Sequence, residues 1–187
     1  HTFMARGEAY FLKEKFWFAK KDYKRALELH KEQGDILQTD MLALAYYQLG
    51  AIYAEEYNAY DAQTNYQKAL DCYSEALEVN PQKYRPLLAA TLNNLAIVQI
   101  QLEEYDRALA HYEKTIEAYQ LLSGEKPDIF EPYLAATYTN LGILLAENMN
   151  KYPQAFEANE AAMSLYKGLS GRYPDRYTHY LATSMHN

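Results

Sequence analysis

Apolar and small residues recur along this chain with a long period, and they do not alternate as they would in strands. Four stretches align without gaps: LALAYYQLG at 42–50, LAATLNNLA at 88–96, LAATYTNLG at 134–142 and LATSMHN at 181–187. Their starting positions are 46, 46 and 47 residues apart, and LSGEKPD at 122–128 aligns with LSGRYPD at 169–175. A fixed period of this length predicts stacked copies of one supersecondary unit.

A second motif, Tyr-x-x-Ala, occurs in each of four repeats. Residues four and seven positions after its alanine continue the same face, which is helical spacing. The motifs are Tyr23/Ala26, Tyr66/Ala69, Tyr105/Ala108 and Tyr152/Ala155. Each motif is followed by a glycine, Asn-Pro or Ser-Gly step, and such steps are typical of the point where a helix stops and the chain reverses. They are Gly34, Asn80-Pro81, Ser123-Gly124 and Ser170-Gly171.

The pattern predicts an all-α chain. Helices are expected over 2–20, 22–33, 36–57, 60–79, 83–102, 104–122, 129–148, 151–168 and 176–187. Tight turns at Lys21-Asp22 and Glu104-Tyr105 would make the two helices of a repeat antiparallel neighbours. A single domain over 1–187 is expected, with repeats at about 1–34, 35–81, 82–127 and 128–174 and a terminal helix at 175–187.

Small residues mark where two helices would approach closely. Gly50, Ala96 and Gly142 recur at one position of the first helix, and Ala69, Ala108 and Ala155 would supply the matching flat spots on the second. Seven extra residues separate Gly50 from Ala69 compared with Ala96 to Ala108. This difference predicts longer helices in the second repeat and either the same insertion or a degenerate first helix in the first.

The LGxxY and YxxA spacings resemble the tetratricopeptide repeat. The long period, LNNLA at 92–96 and the Gly-x-x-Pro-Asp linkers are similar to the form found in kinesin light chain and in bacterial peptide-sensing regulators. The resemblance covers nearly the whole chain. It implies a right-handed superhelix of antiparallel helix pairs, a TPR-like α-solenoid of about four repeats plus a C-terminal helix.

The resemblance also implies that the first helix of each pair lines a concave groove. Residues opposite the packing stripe of each first helix, beginning at Leu44, Ala90 and Ala136, would then face this groove. The predicted peptide- or partner-binding residues are Gln48, Ala51, Glu55, Asn94, Ile97, Gln101, Asn140, Ile143 and Glu147.

An amide recurs in this set, at Gln48, Asn94, Asn140 and, by alignment, Asn187. A carboxamide has two donors and one acceptor site, so a row of amides can bind the backbone of an extended peptide without selecting its side chains. The alternative is that these amides form hydrogen bonds between repeats and stiffen the stack. The sequence does not distinguish these two roles.

Charge restricts the expected ligands. The chain of 187 residues has a formal net charge of −7 and no long basic run, which disfavours nucleic acid. Because no predicted groove position is basic, a clamp for an acidic C-terminal tail is also disfavoured. Glu55 and Glu147 favour a neutral or basic peptide. No window is apolar enough for membrane insertion, and the N-terminus lacks the layout of a signal peptide, which favours the cytoplasm.

Catalytic and metal-binding patterns are missing from the sequence. The five histidines show no HxxxH or HExxH spacing, and the single cysteine, Cys72, fits a core position. No phosphate-binding glycine loop or nucleophile elbow occurs. No catalytic residue, metal or cofactor is predicted, and the chain is not expected to be an enzyme.

The function predicted from the sequence is a non-catalytic scaffold that binds a peptide or a partner protein in its groove. Two alternatives remain: a structural module that forms homo-oligomers, or the sensor segment of a larger bacterial regulator. Phe16, Trp17 and Phe18 cannot all face one side of a helix, so one or two of them should cover a neighbouring helix. The rest are a candidate contact for a partner or for further N-terminal sequence.

Overall fold

The computed structural model describes residues 2–33 and 38–184, and within them the chain is helical with no strand. The all-α prediction is therefore confirmed. The helices are α1 (Thr2–Phe11), α2 (Phe16–Gln33), α3 (Thr39–Glu55), α4 (Ala59–Val79), α5 (Pro81–Gln101), α6 (Tyr105–Glu125), α7 (Pro127–Ile143), α8 (Tyr152–Arg172) and α9 (Pro174–Ser184), with a π-helical turn at Leu144–Asn148 after α7.

The chain divides into two compact units, residues 1–102 and 103–187. In the first unit, α1 to α5 pack in sequence order, each against the next, around a core that includes Tyr23, Leu49 and Tyr66. In the second, α6 to α9 pack in the same way, and one of its cores includes Ala162 and Leu169. The single domain and the repeat boundaries stay predictions.

The turn between the first two helices lies at a different place from the predicted turn. The sequence predicted a turn at Lys21-Asp22, but both residues lie inside α2, and the chain reverses between Phe11 and Phe16. Asp22 is buried there and accepts two hydrogen bonds of 2.6 Å from Arg6 on α1. The turn prediction at Lys21-Asp22 is therefore wrong, and Asp22 instead joins α2 to α1.

Left-handed backbone marks the turn after each first helix. Glu14, Tyr57, Glu103 and Asn150 have φ between 55° and 60°, a region that only glycine and, less readily, asparagine enter at low cost. The first three lie seven residues after Gly7, Gly50 and Ala96. Asn150 lies eight after Gly142, and the π-helical turn between them accommodates the additional residue.

The predicted insertion in the second repeat is wrong. Helices α4, α6 and α8 each contain 21 residues, so the second repeat has no longer second helix. The tyrosines of the motif are not equivalent: Tyr66 lies inside α4, whereas Tyr105 and Tyr152 are the first residues of α6 and α8. The motif in the later repeats was aligned two helical turns too early, which created the apparent difference of seven residues.

The predicted helix ends at Ser123-Gly124 and Ser170-Gly171 are also displaced. Both steps lie within the last turn of α6 and α8, which end at Glu125 and Arg172. A proline then starts the next helix, at Pro127 and Pro174, where its missing N–H costs nothing. Proline therefore sets these boundaries, while Gly34 lies outside the described residues.

Side chains of the second helix occupy the space left by the glycines of the first. A Cβ added at Gly50 would lie 2.7 Å from Cδ1 of Tyr66, and one at Gly7 would lie 2.9 Å from Cε1 of Tyr23. At Gly142 the opposing group is the Asn159 amide. The glycines thus pack against a ring or an amide of the second helix, and not against the flat alanine surface that the sequence predicted.

Candidate functional site

One face of α5 carries the predicted groove residues of the third repeat. Ile97 is 39% exposed although its neighbours Ala96 and Val98 are buried, and Gln101 is exposed at the end of the helix. Leu87, also partly exposed, lies on the same face at helical spacing before Ala90. The structure therefore leaves an apolar row accessible on this helix.

The corresponding face of α3 is more covered. Ala51 is half-buried, Glu55 is exposed, and Gln48 is half-buried. The side-chain oxygen of Gln48 is inaccessible to solvent and has no hydrogen-bond partner among the described residues. An unpaired buried acceptor is costly, so this amide has hydrogen-bonding capacity that the described contacts leave unused.

Asn94 connects two neighbouring first helices of this unit, α5 and α3. Its Nδ2 donates a hydrogen bond of 3.0 Å to the Tyr47 hydroxyl on α3. Burial raises the pKa of the Tyr66 phenol on α4, and a hydrogen bond with Asn94 opposes this rise. Asn94 thus has the contacts expected of an amide that stiffens the stack, while it remains only partly buried on the groove face.

In the second unit, α7 and the π-helical turn carry the last three predicted residues. Asn140 is half-buried, Ile143 is 39% exposed, and Glu147 is exposed. Ile129 and Tyr133 extend this face toward the start of α7, and both are more than half exposed. The Tyr133 ring stacks on Tyr119 at 5.7 Å, which holds it in place at the surface.

A cavity of about 750 Å³ lies at this end of α7, between α7, α8 and α9. It includes Ala136, a position that the sequence assigned to the groove. Stacked tyrosines form much of its wall: the Tyr166 and Tyr180 rings are 5.5 Å apart and 10° from parallel. The remaining side chains that line it are Asp128, Ile129, Pro132, Tyr133, Asp175, Arg176, Tyr177 and His179.

The charged groups of this cavity are partly compensated. Arg172 forms an ion pair with Glu131 and lies 3.5 Å from Asp128. Arg176 lies over the Tyr177 ring at 5.3 Å. Asp175 at the first turn of α9 adds a second carboxylate. The cavity therefore combines aromatic surface with a mildly acidic edge.

The predicted set does not include Leu87, Ile129, Tyr133 or Tyr180, which the structure leaves exposed on or beside these helix faces. For the first three the signal was present, because Leu87 precedes Ala90 by three residues and Tyr133 precedes Ala136 by three. Extending each helical row by one or two turns toward its N-terminus would have found them. Tyr180 had no such signal, and Asn187, the predicted fourth amide, lies outside the described residues.

No grouping of three or more histidine, cysteine or carboxylate side chains in residues 2–33 and 38–184 could hold a metal ion. Burial raises the pKa of the Cys72 thiol, which opposes formation of the reactive thiolate. Every helix in the same ranges is too short or too polar to span a lipid bilayer.

Two family models, both described as tetratricopeptide repeat, match residues 40–120 and 134–175. The chain belongs to the tetratricopeptide repeat family, as its sequence predicts. A comparison with curated protein sequences gave no match.

Solved structures agree with this assignment. BtubC (BKLC) from P. vanneervenii is 26% identical, with a TM-score of 0.70 over 87% of this chain and 60% of that one. The apo form of RapI is 20% identical, with a TM-score of 0.73 over 98% and 61%. Aspartyl phosphate phosphatase F from Bacillus subtilis is 20% identical, with a TM-score of 0.69 over 97% and 43%. The chain thus spans less than two thirds of each of these proteins.

Proposed function

We propose that this chain is a non-catalytic protein-interaction scaffold, and that the groove faces of α3 and α5 in the first unit and of α7 in the second each bind a segment of a partner protein. The observation that carries the proposal is the accessible apolar row on α7, with Ile129, Tyr133 and Ile143, beside a cavity of about 750 Å³. Concave, largely apolar sites with a few polar groups are typical of binding sites.

The amides support recognition of peptide backbone. Asn94 is only partly buried and uses one of its donors for Tyr47, which leaves further hydrogen-bonding capacity for a ligand, whereas the inaccessible oxygen of Gln48 cannot reach one. Asn140 is at the equivalent position of α7 and is half-buried. In this proposal the bond to Tyr47 uses one donor of Asn94 and the ligand uses its remaining hydrogen-bonding groups, so the stiffening and binding roles coexist.

The preferred partner segment is neutral or basic. Glu55 and Glu147 are exposed on their helices, and Asp128 and Asp175 line the cavity of the second unit. A tyrosine wall beside carboxylates suits an aromatic, aliphatic or cationic side chain as an anchor. An acidic C-terminal tail would meet carboxylates on these faces.

The test begins with peptides selected from a displayed random library by the purified protein. Binding of one labelled peptide is then measured by fluorescence anisotropy for the wild type, Asn94→Ala, Asn140→Ala and Tyr47→Phe. Tyr47→Phe is the matched control, because it removes the hydrogen bond to Asn94 and keeps the amide. Loss of one net hydrogen bond, worth about 1 kcal/mol, should weaken binding about fivefold at the face that carries each alanine substitution.

Wild-type affinity in Tyr47→Phe, together with weaker binding by both alanine variants, supports the proposal. Unchanged binding by a folded Asn94→Ala/Asn140→Ala double variant contradicts the backbone-binding role. Selection of acidic peptides whose binding is weakened by Asn94→Ala or Asn140→Ala contradicts the proposed ligand class.

A homo-oligomer is a second candidate, and the aromatic cluster favours it. Phe16 packs against Phe11, with ring centroids 5.5 Å apart, whereas Trp17 and Phe18 are 63% and 47% exposed. Light scattering over a concentration series tests this candidate. A monomer at every concentration would exclude self-association through this surface.

A further inference from the structure

A second groove lies on the other side of α3, where α2, α3 and α4 enclose a cavity of about 630 Å³. Its α3 residues, including Leu42, Leu49 and Tyr53, are on the helical face opposite Gln48 and Ala51. This groove is therefore separate from the face that the proposed function uses.

The floor of this groove is apolar and aromatic. Leu27 on α2 and Leu42, Tyr46, Leu49 and Tyr53 on α3 contribute to it. Leu49 and Tyr53 are at most 8% exposed, so the floor belongs to the packed core of the unit. A ligand would find a preformed surface there.

The rim is cationic. Lys24 and Lys31 on α2 face Lys68 on α4 across the groove, and His30 lies beside them. None of the three lysines forms an ion pair with a residue that the structure describes. The carboxylate on the rim, Glu28, forms an ion pair of 3.1 Å with Arg25, which also lies 3.8 Å from Glu32. The groove thus concentrates positive charge on a protein whose net charge is −7.

Aromatic rings of the floor hold two of these lysines. The Lys24 ammonium lies 5.3 Å from the centre of the Tyr53 ring, and a hydrogen bond with the Tyr53 hydroxyl raises its pKa. The Lys68 ammonium lies 5.3 Å from the centre of the Tyr46 ring. These contacts already restrict the lysine rotamers, so less side-chain entropy is lost when the lysines bind an anion.

The second unit provides an internal comparison. The groove between α6, α7 and α8 has Tyr138, Leu141 and Leu145 in its floor, at the positions of Tyr46, Leu49 and Tyr53 two periods earlier. Its rim differs in charge.

Glu113, which follows the buried Tyr112, takes the place of Lys24, which follows the buried Tyr23. Ala161, two residues after Asn159, takes the place of Lys68, two residues after Tyr66. Packing of the repeat therefore does not require lysine at either position.

We infer that the groove between α2 and α4 binds an acidic peptide segment of a partner protein, with apolar side chains on its floor and carboxylates on Lys24, Lys31 and Lys68. An apolar floor between cationic rims suits a strand of alternating acidic and aliphatic residues. A small anion would use the lysines but leave the floor uncovered. The site is independent of the proposed function, since it lies on the opposite face of α3.

The test uses a labelled synthetic peptide of alternating Glu and Leu, the same peptide with Gln for Glu, and inorganic phosphate as a competitor. Binding is followed by fluorescence anisotropy at two salt concentrations. The test variant is Lys24→Glu/Lys68→Ala, which installs the residue types found in the second unit. The control, Lys167→Glu/Lys114→Ala, makes the same change in net charge at exposed positions outside the groove.

The acidic peptide should bind the wild type and the control variant equally. The test variant and the Gln peptide should each bind about tenfold more weakly, as expected for the loss of partly exposed ion pairs. Higher salt should weaken only binding of the acidic peptide to the wild type and the control.

Equal binding by the test variant, or equal binding of the Gln peptide, overturns the inference. Full competition by millimolar phosphate also overturns it, because the site would then hold a small anion. Asn94→Ala/Asn140→Ala should bind the acidic peptide as the wild type does. Failure of the amide tests would therefore leave this result unaffected, and the two proposals can be judged separately.

Discussion

Replacement of Gly50 by alanine tests the close approach of α3 and α4. The added Cβ would lie 2.7 Å from Cδ1 and 2.9 Å from Cε1 of Tyr66, about 1 Å inside ordinary carbon contact. Tyr66 is 3% exposed, and its ring contacts that of Tyr47, which in turn accepts the bond from Asn94. The ring therefore has little room to move, and overpacking should cost about 1 to 3 kcal/mol.

Helix propensity opposes this cost, because alanine is better than glycine inside a helix by about 1 kcal/mol. The matched control is Gly168→Ala inside α8, where an added Cβ would meet nothing within 4 Å. Gly168→Ala should show the propensity gain alone. The difference between the two variants then isolates overpacking, at about 1 to 3 kcal/mol, or roughly 2 to 12 °C in Tm.

Thermal and urea unfolding are followed by circular dichroism and by fluorescence of Trp17, the sole tryptophan of the chain. Trp17 lies in the first unit, so its signal reports the unit that contains Gly50. Circular dichroism also reports the second unit, which contains Gly168. The change in midpoint should be lower for Gly50→Ala, followed by Trp17, than for Gly168→Ala, followed by circular dichroism. Equal stabilisation by the two substitutions would refute the argument that the Tyr66 ring requires a glycine.

Two further predictions concern backbone conformation and pH. Tyr57 is 91% exposed with φ of 56°, so Tyr57→Gly should raise the free energy of unfolding by about 0.5 to 1 kcal/mol, a figure that already subtracts the entropy that glycine adds to the unfolded chain. Asn150→Gly should change the free energy of unfolding little, because asparagine tolerates this conformation. Urea denaturation measures both variants, and a destabilised Tyr57→Gly would contradict the reasoning. Burial, and then Lys114 and Arg107, lower the pKa of His111, so the folded state binds fewer protons than the unfolded state. The stability that neutral His111 contributes to the fold is therefore lost as pH falls below about 6.5. His111→Gln should therefore be less destabilising at low pH than above neutrality, and a pH-independent difference in Tm between the two proteins would contradict this.

The helical repeat could be predicted from the sequence because its signals are local and recur. The spacing of Gly50, Ala96 and Gly142 was sufficient to predict α3, α5 and α7. The turn before Phe16 was not predicted, because Glu14 adopts left-handed backbone without the glycine that usually marks it. The pairing of Asp22 with Arg6 joins residues 16 apart, and the sequence alone does not show that they meet.

The candidate site was predictable in part for the same reason. Ile97 and Ile143 follow from helical spacing, and the structure leaves both partly exposed. The cationic groove was not predicted, since Lys24 and Lys68 are far apart in sequence and only the packing of α2 against α3 and α3 against α4 brings them to one cavity. Charge that is dispersed along a chain becomes a local property only after folding.

The π-helical turn at Leu144–Asn148 has a consequence for how this chain tolerates changes in length. One additional residue in a helix would rotate every later side chain by about 100° and move its apolar face away from the core. Here the wide turn absorbs that residue locally, with Leu144 and Leu145 both buried, and Ala155 and Ala162 of α8 remain in the core. Deletion of the half-buried Ala146 should therefore convert the turn to regular α-helix and restore the 46-residue period, whereas the same deletion within α5 would put the helix out of register.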